Sequence, residues 1–330
     1  MGAQRVSWRS LSLSLLLLAA TSCSVNARSF DPRDPHSPLE LVRTIALPDV
    51  RGRIDHLALD PTSNHLFVAE IGNGTVDDVD LASGKVAARF SNLHEPQGVA
   101  WLSRQNELAV ACGDGSVHFY RWPDRPEVAR ILLGDDADNV RMDSRNGELV
   151  VGYGSGALAV IDPASHRVVR QINLPAHPEG FELIGPRVFV NVPGDHKILI
   201  GDLDRAKLAE TLGTGLMLGN YPMASNAADS RIAVAYRMPG RVSVMDASSA
   251  ATIFSTRACG DADDLYFHAN QLVVLCGSGS VELIEEAGPH RKVDITTKRG
   301  ARTGILAGNK LFVAVPNGET AAAIWEFSFR

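Results

Sequence analysis

Acidic and amide side chains recur in this 330-residue chain at one interval. Asp55, Gln97, Asp138, Glu179, Met223, Asp263 and Arg302 stand 39 to 44 residues apart, most of them beside a Pro-x-Gly motif or its remnant. The next position carries His56, Gly98, Asn139, Gly180, Ala224, Asp264 and Thr303. Four carboxylates brought together would raise one another's pKa unless a cation or a basic side chain offset them. Arg302, with Arg299 nearby in sequence, offsets part of that charge. The remainder points to a hard cation such as Ca²⁺ or Mg²⁺, ligated by Asp55, Asp138, Glu179 and Asp263, or to an amine or polyhydroxy ligand. The candidate binding residues are therefore Asp55, His56, Gln97, Asp138, Asn139, Glu179, Asp263, Asp264 and Arg302. Asp and Asn at strand starts also bond neighbouring backbone N–H groups, so a structural role for any one of these acids stands beside the ligand-binding one.

Other motifs carry less chemistry. Gly152-Tyr153-Gly154-Ser155-Gly156 is a hairpin and not a nucleophile elbow, because Tyr153 and Ala157 occupy the two positions where that elbow needs glycine. His94 and His177 precede two of the recurring positions and could join the same rim, although lone histidines there are more often solvated. Met217, Met223 and Met238 show no ligand spacing, and Met readily fills gaps in cores. No haem, zinc-protease or phosphate-loop motif is present, so no cofactor is anchored by a recognisable signature. Cys112 and Cys276 occupy the same repeat position and should not pair. Cys259 and Cys276 fall at the same end of one hairpin, which leaves a disulfide between them or isolated thiols as the two alternatives.

The elements that position the recurring residues repeat with them, about every 41 residues. Seven apolar runs, from His65-Leu66-Phe67-Val68-Ala69 to Lys310-Leu311-Phe312-Val313-Ala314, each lead to a tight-turn pair. The pairs include Asn73-Gly74, Asp114-Gly115, Gly194-Asp195, Pro239-Gly240 and Ser278-Gly279, which favour two-residue hairpins. Repeats of this length built from short strands predict an all-β, seven-bladed β-propeller with four-stranded antiparallel blades, in which radial closure removes exposed sheet edges. The innermost strands then start at one rim of the central channel, and the recurring residues form a ring at its mouth. The last repeat supplies three strands, so the N-terminal run Leu41–Leu47 is expected to complete the final blade.

Residues 1–27 read as a signal peptide, with Arg5 and Arg9 ahead of an apolar stretch from Leu11 to Ala20 that is too short to span a bilayer. Val25-Asn26-Ala27 offers a cleavage site that releases a soluble periplasmic or secreted product. Ala20-Thr21-Ser22-Cys23 instead resembles a loose lipobox that would leave a lipid anchor on Cys23. Residues 28–39 are expected to be a flexible leader, and 40–330 a single propeller domain. Loss of residues 1–27, which hold no acid, takes the formal charge from −6 to −8 and argues against a nucleic-acid partner.

The run from Glu148 to Gly180, through Val150-Val151-Gly152-Tyr153, Ile161-Asp162-Pro163-Ala164 and His177-Pro178-Glu179-Gly180, resembles the YVTN-type β-propeller repeat. The resemblance covers roughly residues 40–330. Later blades depart from it, with Pro222-Met223-Ala224 and Ala301-Arg302-Thr303 in place of Pro-x-Gly. It implies a seven-bladed scaffold and says little about chemistry. Three functions remain open at this level: a binding or interaction propeller taking a small molecule, an ion or a protein at its mouth; a metal-assisted lactonase with His56 or Glu179 as general base; and an accessory subunit of an exported redox system.

Overall fold

Apart from Gly2, the computed structural model of the protein describes residues 28–330. The expected cleavage sites and Cys23 lie outside the described residues. Among those described, no helix is long and apolar enough to cross a membrane.

Alternating apolar positions and tight turns build seven sheets of four antiparallel strands arranged in a ring, one of them extended by a fifth strand. We number them blade 1 to blade 7 in chain order. Their innermost strands are Leu57–Asp60, Pro96–Leu102, Ala137–Met142, Phe181–Ile184, Leu218–Asn226, Ala262–His268 and Thr303–Ala307. Each lies beside the next, and the innermost strand of blade 7 meets that of blade 1.

The core sits between blades. Because successive strand residues face opposite sides of a sheet, Leu66 and Val68 pack against Phe312 and Ile324 of blade 7. Phe67 and Ala69 turn the other way, against Trp101, Leu108 and Val110 of blade 2. Buried clamps supplement this packing. Asp78 is fully buried, and its carboxylate receives His65 Nδ1 at 2.5 Å and Arg125 Nη2 of blade 2 at 2.8 Å.

Closure follows the expected route. Leu39–Ala46 pairs antiparallel with Ala323–Phe329 and completes blade 7, with Leu39 and Ile45 buried. The segment 28–39, expected to be a flexible leader, is instead held on the protein. Arg28–Phe30 runs parallel to Lys292–Thr296 as a fifth strand of blade 6, and Phe30 packs into the core between blades 6 and 7. The physical reason is the free edge of Lys292–Thr296, whose unpaired backbone groups accept another strand. Blade 4 differs in one turn: Pro193–Asp195 forms a single 3₁₀ turn where a two-residue hairpin was expected, with His196 in the left-handed region.

Candidate functional site

The innermost strands lose register near their starts in blades 2, 3, 5 and 6, between Pro96 and Val99, Ala137 and Val140, Asn220 and Met223, and Ala262 and Asp264. A bulge leaves a residue outside the ladder and re-aims its side chain. Gln97, Asp138, Tyr221 and Asp263 are released in this way, and all four line the central cavity. Glycine lets neighbouring strand starts converge: a Cβ on Gly98 would meet Asp138 O at 1.9 Å, and one on Gly180 would meet Tyr221 O at 2.5 Å. Backbone bonds stitch the ring, from His56 N to Gln97 O at 3.3 Å and from Gly180 N to Tyr221 O at 3.0 Å.

The cavity measures about 270 Å³ and all nine candidates line it: Asp55, His56, Gln97, Asp138, Asn139, Glu179, Asp263, Asp264 and Arg302. Blade 5 corrects the repeat alignment. Val140 and Met223 both occupy the ladder position that follows the bulge, opposite Val151 and Val234, so Tyr221 and not Met223 stands at the ring position. The bulge there is fixed by two fully buried amides: Asn191 Nδ2 donates to Tyr221 O and Pro222 O, and Asn220 Nδ2 donates to Asn191 Oδ1.

Sequence reasoning missed Arg53, Asp136, Arg141, Tyr221 and Arg237, which also line the cavity. Arg53, Asp136 and His177 stand two residues before Asp55, Asp138 and Glu179, so the same repeat alignment shifted by two would have found them. Arg237 arrives by another route, on a second strand, Arg231–Met238, that is longer than its counterparts in the other blades. His177 is at the cavity, where its Nδ1 lies 2.6 Å from Gly154 O. His94 is exposed on the surface, and Arg299 borders a different pocket.

These arginines change the electrostatics. Six carboxyls face four guanidiniums around the cavity. Asp55 is paired with Arg53 at 3.0 Å. Asp263 is held by Arg237 and, at 2.8 Å, by Arg302 Nε, while the Arg237 guanidinium lies 3.9 Å from the centre of the Tyr221 ring. Asp264 serves structure, accepting Gly304 N–H of blade 7 at 2.8 Å, yet burial still pushes its pKa up to about 8. Gln97 donates to Asp136 at 3.0 Å.

Two carboxyls are left over. Asp138 Oδ1 is buried without a hydrogen-bond partner, and His56 Nε2 stands off at 3.8 Å. Burial, with Asp55 and Glu179 close by, holds the Asp138 carboxyl well above the usual carboxylate range. Glu179, on the next blade, is raised by burial as well, and among the described residues no side chain is in hydrogen-bond or ion-pair contact with its carboxyl. Burial lowers the His56 pKa, so that imidazole is neutral near pH 7.

The carboxylates of the expected metal set, Asp55, Asp138, Glu179 and Asp263, are not gathered around one point. Among the described residues, no three of these carboxylates bring oxygens within 4.8 Å of one another. Asp55 and Asp263 are ion-paired with arginines instead. Elsewhere, Ser116 Oγ lies 2.8 Å from His118 Nε2, and His118 Nδ1 lies 3.3 Å from Glu127 without a hydrogen bond to it. Ser116 and His118 are only 1% and 3% exposed, which denies a substrate access to that hydroxyl. Cys259 and Cys276 are joined by a disulfide, and Cys112 is a buried free thiol. No family model matches the chain, and no curated protein matches it.

Proposed function

We propose that the protein is an exported binding propeller of the YVTN type whose channel mouth captures a small, cationic, hydrogen-bond-donating molecule of the primary amine or amino sugar class. The observation that carries this reading is the pair at the mouth that no arginine holds: Asp138, whose Oδ1 is buried without a hydrogen bond as one oxygen each of Asp55 and Asp263 is, and Glu179 beside it. Buried acceptors without donors are costly. A ligand ammonium flanked by hydroxyls supplies donors to these carboxyls and a positive charge that favours their ionised form over the protonated one that burial favours. Tyr221, with the Arg237 guanidinium stacked over its ring, lines the same cavity.

Export is supported by the Cys259–Cys276 disulfide, which suits an oxidising compartment. Release after Ala27 or lipid attachment at Cys23 are the two forms this export would take. The YVTN assignment rests on the Glu148–Gly180 run. Metal-assisted lactone opening draws no support from acids that the protein's own arginines occupy. The test is thermal unfolding of residues 28–330 with ethanolamine, putrescine, glucosamine, glucose or CaCl₂. Stabilisation by the amines above that by glucose or calcium is expected, and equal responses would refute the reading.

A further inference from the structure

Beside the mouth, on blade 6, two sulfurs and a carboxylate come together. Cys259 lies on the connection into Ala262–His268, and Cys276 ends the neighbouring strand Gln271–Cys276. The Glu282 carboxylate, on the third strand, comes within 4.8 Å of both sulfurs. The two cysteines are unequal: Cys259 is partly exposed and Cys276 is fully buried. Glu282 is 4% exposed and fixed from two sides, by Cys259 N–H at 3.0 Å and by Lys292 Nζ at 2.6 Å.

A disulfide that only braced the blade would gain nothing from a buried ion pair against it. The Ala262–His268 and Gln271–Cys276 ladder already fixes this register, with Ala262 opposite Cys276. Desolvating a carboxylate is expensive. Thiol–disulfide exchange, by contrast, uses each part: one sulfur that a thiolate can reach, and an acid beside the other that can assist its departure by protonating it.

We propose that Cys259–Cys276 is an exchange-active disulfide, in which Cys259 is the sulfur attacked and Glu282 delivers a proton to Cys276 and takes it back. The co-reactant is an external dithiol. Its thiolate attacks Cys259 Sγ, the new S–S bond forms as the Cys259–Cys276 bond breaks, and the electron pair leaves on Cys276 Sγ, which is protonated by Glu282. The partner's second thiol then attacks the mixed disulfide and releases Cys259 as a thiolate. The partner's two protons end on Cys259 and, through Glu282, on Cys276. The partner is oxidised by two electrons and the blade 6 pair is reduced by two; the reverse sequence returns them. Burial raises the Glu282 pKa while the Lys292 ammonium opposes that rise, so the carboxylate of the resting ion pair takes up a proton more readily than an exposed one.

The test is the rate at which dithiothreitol reduces folded protein between pH 5 and 9, corrected for reductant thiolate and read by alkylation and mass spectrometry. Wild type should be reduced without global unfolding. Glu282→Gln should slow reduction about 10- to 100-fold at the acid end, and the gap should close as pH rises and Glu282 ionises. A deficit of constant size at every pH, or wild-type reduction only at the global unfolding rate, would overturn the proposal. Should Glu282→Gln not fold, Cys276→Ser and Cys259→Ser decide. Treated with glutathione disulfide, Cys276→Ser should form a mixed disulfide on Cys259 and release one reduced glutathione, whereas Cys259→Ser should leave Cys276 unreactive. Equal trapping on both cysteines would contradict the assignment.

Discussion

Arg302 Nε lies 2.8 Å from Asp263 Oδ2 and joins the inner rim of blade 7 to that of blade 6. With Arg237 on the other carboxylate oxygen, Asp263 carries two protein cations and has no free charge for an ion. The same holds in part for Asp55 beside Arg53. Ion pairing at the mouth is therefore uneven: arginines hold Asp55 and Asp263, and none holds Asp138 or Glu179.

Removing one clamp should unmask a cation site that the native mouth lacks. Arg237→Leu frees Asp263 Oδ1. Calcium should then raise the unfolding midpoint of the variant, by about 1.4 kcal/mol of stability at tenfold excess over Kd, while wild type stays unmoved. A calcium response of the same size in wild type would mean that the arginines do not occupy the acids as described.

Buried carboxyls should make the fold weaken as pH rises. Glu70 is fully buried with Oε1 unpartnered, and burial together with nearby Asp77 pushes it up to about 8. Asp264 is pushed to about 8 by burial. The folded state keeps protons that the unfolded chain has released by about pH 5, so these groups favour the fold near pH 4 to 5. Their contribution is lost progressively as pH climbs through 8. Glu70→Gln should flatten that decline and raise the midpoint at pH 9 by about 2–4 °C for each ~1 kcal/mol recovered. A midpoint that rises steadily from pH 5 to 9 would contradict the placement of these protons.

The clamp between blades 1 and 2 should matter for stability and not for the mouth. Arg125→Ala removes the partner of Asp78 Oδ2 and the cation over Trp122, 4.5 Å from the ring centre. Asp78 would remain buried with His65 alone. A loss of about 2–3 kcal/mol is expected, with solvent at the partly exposed Arg125 moderating the cost. Chemical denaturation would measure it, and unchanged stability would show that His65 suffices.

Ring closure rests on the N-terminal strand. Deleting residues 28–46 strips Leu39 and Ile45 from the core and bares the edge of Ala323–Phe329. An exposed edge strand invites pairing between molecules. Size-exclusion chromatography should show oligomers and calorimetry a broadened transition; a monomer with one sharp transition would mean that closure is dispensable.

The period of Asp55, Gln97, Asp138, Glu179, Asp263 and Arg302 was enough to place one ring at one rim, because radial repetition maps equal repeat positions to equal radius. Blade 5 escaped that logic. Its bulge depends on Asn191 from blade 4 and on Asn220, side chains whose bonds leave no trace in a one-dimensional pattern. Arg53 was legible two residues before Asp55, but the counter-charge it brings was not. That depends on which side of the mouth each arginine reaches, and it turned an apparent metal site into a half-neutralised one. Residues 28–39 looked loose by composition, yet an open sheet edge on blade 6 gave Arg28–Phe30 somewhere to pair.

The most direct test of the account is calorimetric titration of residues 28–330 with glucosamine, putrescine and glucose at pH 7, in two buffers of different ionisation enthalpy. Burial, with Asp55 and Glu179 close by, shifts the Asp138 carboxyl toward its protonated form. An ammonium docking there should bind in preference to glucose and release a proton, and Asp138→Asn should abolish both the preference and the release. Amine binding that is absent, or that survives Asp138→Asn and Glu179→Gln with its proton release intact, would contradict the central claim.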